Sequence, residues 1–349
     1  MMTLRKLAAG LDYIPATTSC YLADLGEAKG KQMLFTWQSP RRLKMLREHA
    51  LIESAVSSNR IEGVEIDKSR IRTVIFGKPL LRDRNEEEVW GYREALRLVH
   101  EQGNKLPVSE KTVLELHRLT RGEIWDAGKY KEQDGDIIER FQNGSSRVRF
   151  KTIPATETPT FMKELLQLWH TCLNEGRTHP LIVMAALNLD FLCIHPFRDG
   201  NGRVSRLLLL LQCYHFGYEV GRYISLERLI EENKERYYET LNISSNRWHV
   251  SENNPWPYIN YLLFILKTAY KEFENRIGQI KAPRGEKTEL IVQAIEKTMG
   301  PFRVADVQKA CPGVGLDLIR RIMKRLRSEG RIECLGRGQN AEWQKTERK

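Results

Sequence analysis

The chain has 349 residues, 41% apolar and 29% charged, which excludes wholesale disorder and collagen-like sequence and leaves room for about two or three domains. Lysine and arginine number 56 against 45 acidic residues, a net +11 with a pI near 9.3, which favours polyanionic partners such as nucleotides, nucleic acid or acidic surfaces without choosing among them. The six cysteines, at 20, 172, 193, 213, 311 and 334, show no Cys-x-x-Cys spacing, which argues against a metal knuckle or disulfide scaffold and for reduced thiols in a cytoplasm.

The opening MMTLRKLAAGLDYIP has a basic pair but no apolar run of the signal-peptide kind. The most apolar stretches, 207–211 and 261–266, are far short of a membrane span. These features lead us to expect a soluble, cytoplasmic protein with no membrane partner. Three parts are expected. The first, 1–104, reads as irregular through Pro40 and then helical, with Leu43, Leu46, Ala50 and Leu51 at helical spacing and a second helix over 86–102. The second, 105–280, opens with a Ser109 cap on a helix over 111–120. Between Asp134 and Phe150, short β-prone runs flank Asn143-Gly144, which predicts a hairpin with Phe141 on its first arm. Helical periodicity returns over 159–175, 181–193, 203–216, 225–244 and 257–274, so this part is α-helical with one hairpin rather than an alternating βαβ fold. A linker over 281–285 precedes the third part, 281–349. There, helices over 286–299, 304–310 and 316–329, with a Pro312-Gly313 turn, precede strand-like pieces at 331–335 and 341–344, the pattern of a winged helix-turn-helix.

The most informative run is His195-Pro196-Phe197-Arg198-Asp199-Gly200-Asn201-Gly202-Arg203, followed by Arg206. Pro196 turns His195 away from helical geometry and ends the preceding helix. Gly200 and Gly202 permit close backbone approach, and Asp199 or Asn201 is placed to cap a helix starting near Gly202. A glycine-rich turn that opens a helix offers N–H groups and a positive dipole end to an anion, most naturally a phosphate. Arg203 and Arg206, three apart, add two forked cations. Asp199 is a hard oxygen ligand suited to Mg²⁺, and His195 is suited to take a proton near neutral pH. The same residues also serve as a plain helix–loop–helix connection with solvated arginines.

At every defined position the residues from His195 to Arg203 match the signature of Fic-domain proteins, His-x-Phe-x-Asp/Glu-Gly-Asn-Gly/Lys-Arg, extended by x-x-Arg at Arg206. The order helix, hairpin, helix, motif and the later stretch IEENKERYY at 230–238 also resemble that family. The resemblance covers about 100–275, and 1–100 more loosely. It implies a mostly α, Fic-type helical bundle with a β-hairpin flap. It also implies a nucleotidyltransferase that moves AMP from ATP to a Ser, Thr or Tyr hydroxyl of a protein and releases pyrophosphate. Carried over by position, His195 is the general base and Phe197 a core anchor. Asp199 holds Mg²⁺, and the Gly200, Asn201 and Gly202 segment forms the anion hole. Arg203 meets the β-phosphate and Arg206 the γ-phosphate. The hairpin from Asp134 to Phe150 corresponds to the flap that holds the target chain as an added strand. Tyr237 and Tyr238 either border the adenine or are helix-packing aromatics.

Two details bear on the reaction. Gly202 stands where the Doc branch, which phosphorylates, carries Lys. The stretch Gly128-Lys-Tyr-Lys131 has Lys where the family usually has Arg, and the hairpin is longer than usual. Upstream, Ser58-Asn-Arg-Ile-Glu62-Gly63 is by itself a helix end, with Ser58 and Glu62 on one face. Beside a Fic motif it resembles the inhibitory Ser/Thr-x-x-x-Glu-Gly/Asn helix. Glu62 then pairs with Arg206 and takes from ATP the cation that orients its γ-phosphate. The same glutamate is also placed to align a water for AMP removal.

Over 281–349 there are 16 Lys and Arg against 9 Asp and Glu, so most of the excess charge lies outside the catalytic part. On the third helix Arg320, Arg321, Lys324, Arg325 and Arg327 face outward, with Arg331 and Arg337 near the wing, which suits DNA or a protein partner. His117 and His170 read as packed or solvated. A nucleotide-sensing DNA-binding regulator is the alternative function, and UTP, GTP or CDP-choline the alternative donors; a homo-oligomer is left open.

Overall fold

The computed structural model describes residues 2–11, 13–36, 40–77, 80–140, 145–279, 286–298, 300–311, 314–336, 338 and 341–346. The expected hairpin tip (Phe141, Asn143, Gly144), the 281–285 linker, the Pro312-Gly313 turn and Arg337 lie outside the described residues. The fold is mostly helical, in two compact units formed by 1–32 with 44–275 and by 33–43 with 276–349.

The opening is where the structure departs most from the sequence reading. Instead of an irregular stretch through Pro40, it holds helices α1 (Thr3–Ala9) and α2 (Ala16–Thr36), and α3 (Pro40–Ile61) begins at the proline itself. A proline is tolerated in the first helical turn, where its missing N–H would have no partner. Helix α1 is secured by tertiary contacts: Asp190 Oδ1 and Oδ2 accept the backbone N–H groups of Thr3 and Leu4, each at 2.8 Å, and Asp190 also accepts Trp248 Nε1–H at 2.7 Å. That buried carboxylate serves the orphan donors of the first turn, a role no local pattern announces.

Helices α4 (Ile71–Phe76), α5 (Arg84–Gln102) and α6 (Glu110–Arg121) follow, the last capped by Ser109, whose hydroxyl accepts Thr112 N–H. Strands β1 (Ile137–Arg140) and β2 (Ser146–Phe150) pair antiparallel, Ile138 opposite Val148. Helices α7 (Thr158–Glu175), α8 (Pro180–Ile194) and α9 (Asn201–His215) form the centre of the unit. Every residue of α8 from Leu181 to Ile194 is buried, as a helix apolar on all sides must be. The expected single helix over 225–244 is two, α10 (Leu226–Glu232) and α11 (Lys234–Ser245), broken at Asn233 (φ −116°, ψ 32°). Asn233 leaves helical geometry while its side chain bonds back to the Leu229 carbonyl, the local competition that makes Asn a helix interrupter. Helix α12 (Trp256–Gln279) follows.

The second unit holds α13 (Glu286–Lys297), β3 (Phe302–Arg303), α14 (Val304–Ala310), α15 (Leu316–Ser328), β4 (Ile332–Cys334) and β5 (Glu342–Lys345). Its sheet has the order β3-β5-β4, all antiparallel. Strand β3 is too short to read from sequence; it exists because Phe302 pairs with Trp343 and buries its ring. Ile319, Ile322, Met323 and Leu326 of α15 enter the core with Ile291, Phe302 and Ile332, and Arg320, Arg321, Lys324, Arg325 and Arg327 are exposed.

Candidate active site

Helix α8 stops because Pro196 forces His195 out of α geometry. His195 takes φ 55°, the left-handed region rare outside glycine, and is pinned there by its N–H donating to Phe191 O at 3.0 Å. Its Nδ1 lies 3.3 Å from the Leu192 carbonyl. A carbonyl only accepts, so Nδ1 carries the proton and Nε2 keeps its lone pair. Burial above all pushes the imidazole down to about 4, so the ring is neutral at physiological pH and ready to accept.

After His195 the chain makes a rigid turn. Phe197 is fully buried and stacks on His117, with ring centroids 3.7 Å apart and planes 7° apart. Asn201 Oδ1 accepts Phe197 N–H at 2.9 Å and its Nδ2 donates to Phe197 O at 2.7 Å. Both ends of the Asn201 amide are thus engaged within the loop, so its side chain shapes the turn instead of reaching towards an anion. The N-cap of α9 is Gly200, at φ 85°, rather than Asp199 or Asn201; no side chain caps this end. The first-turn amides of Asn201, Gly202 and Arg203 therefore have no intrahelical acceptor and present the positive end of α9.

A carboxylate stands over that end. A Cβ on Gly202 would lie 2.1 Å from Glu62 Oε1, so glycine is required for the side chain of Glu62 to rest there. Arg206, one turn along α9 and 3% exposed, holds it: Nη2 donates to Glu62 Oε1 at 2.8 Å and to Ser58 O at 2.9 Å, and Nε donates to Ser58 Oγ at 2.9 Å. Ser58 and Glu62 thus act together at the end of α3, and Gly63 (φ 81°) stops the helix as expected.

Arg203 is placed differently from the expectation of a phosphate contact. Its side chain is 1% exposed and Nη1 donates to Glu88 Oε2 at 2.6 Å, while Nη2 lies 3.5 Å from Asp199 Oδ1. Asp199 is half exposed at the rim and pairs with Arg121 Nη1 at 2.6 Å. Partial burial works against its charge, but Arg203 and Arg121 outweigh it and hold the carboxyl below its usual range. His117 braces the turn from behind: Nδ1 accepts Gly128 N–H at 3.0 Å, which puts the proton on Nε2, 3.0 Å from the Asp199 carbonyl. Lys131 N–H donates to Pro196 O at 2.9 Å, and its ammonium, lowered to about 8 by burial, donates to Thr152 Oγ1.

Two clefts meet at His195, which lines both. One, of 210 Å³, runs between Glu62, Gly202, Tyr237, Tyr238 and the hairpin residues Ile137 and Phe150. The other, of 370 Å³, lies on the side of Tyr130, Lys131, Asp134 and Asp136. Tyr237 is 3% exposed and packs against Tyr258 and Tyr261, as the helix-packing reading expects, and it also lines the first cleft; Tyr238 is half-buried there. Arg149 of β2 ties the hairpin to α11 through the Tyr238 carbonyl at 2.8 Å.

Residues 107–213 match the model of the Fic/DOC family. This segment is a Fic/DOC domain. Similar proteins include the protein adenylyltransferase Fic of Drosophila persimilis, 24% identical over 187 residues, which are 52% of this chain and 35% of that relative. A similar match, 25% over 182 residues, covers 35% of the Drosophila virilis protein of the same name. The chain thus spans about a third of the length of the curated relatives it matches. A Fic family protein from Desulfovibrio desulfuricans G20 shares the fold over 97% of this chain and 98% of its own, with a TM-score of 0.62 at 23% identity. Among the described residues no helix is long and apolar enough to cross a membrane, and no three His, Cys, Asp or Glu side chains are grouped to hold a metal.

The sequence reading misses Glu88, Arg121 and the role of His117. A signal was available: Glu88 falls in phase with the buried Tyr92, Ala95 and Val99, and Arg121 with Val113 and His117. A charge on the apolar stripe of a helix needs a partner, and here the partners surround the Fic/DOC motif.

Proposed function

We propose that this protein transfers AMP from ATP to a Ser, Thr or Tyr hydroxyl of a target protein or of itself, and that Glu62 restrains the reaction. The observation that carries this reading is a neutral His195 between two clefts, one of which reaches the N-terminal end of α9 at Gly202. The nucleotide occupies the cleft of Tyr237 and Tyr238, its phosphates on the Gly200–Gly202 turn. The acceptor hydroxyl enters beside the hairpin and gives its proton to His195 Nε2 as its oxygen bonds to the α-phosphorus. The bond to the bridging oxygen breaks and pyrophosphate leaves, with Arg206 at its far end. The work of the chain is positioning and charge stabilisation. Arg203 supports the turn from behind through Glu88 and Asp199.

Asp199, half exposed at the rim and paired with Arg121, is a single hard carboxylate of the kind that suits Mg²⁺, which keeps several waters and shares its ligands with substrate phosphates. Bound there, Mg²⁺ supplies charge neutralisation of the α- and β-phosphates. Glu62 supports restraint because its carboxylate already fills the anion position over Gly202 and engages Arg206. The same carboxylate is suited to aligning a water for AMP removal.

A second reading concerns the C-terminal unit, where we propose a winged helix that contacts duplex DNA. It is supported by Arg320, Arg321, Lys324 and Arg327, exposed cations of α15 with no ion pair among the described residues. To test the transfer, α-labelled and γ-labelled ATP are offered to Glu62→Gly protein in a cell lysate. Label on protein from the α-labelled donor alone is expected; label from the γ position instead means phosphorylation and overturns the reading. Excess unlabelled UTP, GTP or CDP-choline that suppresses the label would point to another donor.

A further inference from the structure

Buried polar side-chain atoms normally find a hydrogen-bond partner, so those that do not mark strain or a second arrangement. Of the six such atoms among the described residues, five belong to this site: Arg121 Nε, both carboxylate oxygens of Asp126, Arg203 Nε and Arg206 Nη1. Arg121, the last residue of α6, has a side chain only 4% exposed and is surrounded by three carboxylates. Nη1 lies 2.6 Å from Asp199 Oδ2 and 3.6 Å from Glu88 Oε1, and Nη2 lies 3.5 Å from Asp126 Oδ1. Asp126 is a buried carboxylate with no hydrogen bond on either oxygen, within about 1 Å of a full charge-assisted contact with Arg121.

We infer that Arg121 is a displaceable counter-ion of Asp199, and that Asp126 is the carboxylate that receives it when a divalent cation takes Asp199. The inference rests on reading Asp199 as the Mg²⁺ carboxylate. A guanidinium at 2.6 Å occupies the oxygen that such a cation needs, and two cations on one carboxylate oxygen repel. Glu88 keeps Nη1 in place as Nη2 swings onto Asp126, so the exchange needs no unpaired buried charge. Arg121 is a positioning residue: it sets what fraction of the protein has Asp199 open to metal, and apparent metal affinity falls with that fraction.

The test is equilibrium binding of the non-transferable analogue α,β-methylene-ATP to the full chain, by calorimetry, as Mg²⁺ is raised. All proteins carry Glu62→Gly, alone or with Arg121→Gln, Asp126→Asn or Asp199→Asn. If Arg121 holds Asp199 about nine-tenths of the time, Arg121→Gln lowers half-saturating Mg²⁺ about tenfold. Asp126→Asn raises it several-fold, because Arg121 loses its alternative seat. Asp199→Asn removes the Mg²⁺ dependence. If Asp199→Asn does so but neither Arg121→Gln nor Asp126→Asn moves the half-saturation point, Arg121 is merely structural and the inference fails alone. If Asp199→Asn leaves the dependence intact, the metal reading fails with it. Should Arg121→Gln not fold, as thermal melting will tell, Asp126→Asn decides: an unchanged half-saturation point overturns the inference.

Discussion

Replacing His117 by Phe isolates what holds the motif turn in shape. Phenylalanine keeps an aromatic ring against Phe197 but can neither donate to the Asp199 carbonyl nor accept from Gly128 N–H, bonds of 3.0 Å each in the native protein. Two buried backbone groups lose their partner, and each such loss costs about 1–3 kcal/mol. The expected total of about 2–6 kcal/mol lowers the melting temperature by roughly 5–20 °C in a unit of this size. A second signature is specific to the imidazole. Burial pushes His117 down to about 4, below the roughly 6.5 of an unfolded chain. The neutral ring's stability contribution is thus complete above about pH 6.5 and is lost as pH falls towards 4, where the unfolded chain binds a proton that the folded one refuses. His195 (about 4) and His100 (about 3) act in the same direction. His117→Phe removes one of these groups, so the stability lost between pH 7 and pH 5 in denaturant titrations shrinks by about 2 kcal/mol. A variant that melts within 2 °C of the native protein, or one with an unchanged acid dependence, would refute the bridge and the neutral ring respectively.

Asp190→Ala should lower stability by about 3–5 kcal/mol in urea unfolding, because it strands the Thr3 and Leu4 amides and the Trp248 indole N–H; hydrogen exchange in α1 should accelerate, and a loss below about 1 kcal/mol contradicts this. Asn201→Ala opens the Phe197 clasp, and in Glu62→Gly protein AMP transfer should fall about tenfold or more through kcat; a rise in the KM for ATP alone would mean that Asn201 touches the nucleotide instead. Reversing Arg320, Arg321 and Lys324 to Glu should abolish a salt-sensitive gel shift of duplex DNA by the full chain; a shift that survives reversal places the contact elsewhere.

What the sequence made legible was local. The turn from His195 to Arg203 and the helices on either side of it announce themselves through Pro196, the glycines and the apolar period. The Ser58–Glu62 spacing likewise points to one helix face. The hidden features are those in which distant residues complete one another. Helix α1 has only seven residues and depends on Asp190, far along the chain. Arg203 sits in the motif, but its partner Glu88 is 115 positions away, and Asp199 meets Arg121 across 78. The separation of α10 from α11 turns on one side-chain bond of Asn233. Spacing identified which residues gather at the site; it could not tell which of them line the clefts and which support those that do.

A His195-dependent AMP transfer that Glu62 holds back leaves a distinctive labelling pattern. Incorporation of label from α-labelled ATP with Mg²⁺, measured side by side for the native chain, Glu62→Gly and Glu62→Gly with His195→Ala, tests it most directly. Weak labelling by the native chain, a large rise for Glu62→Gly and none once His195 is removed is the predicted result; equal labelling of the first two proteins, or label that survives His195→Ala, contradicts it.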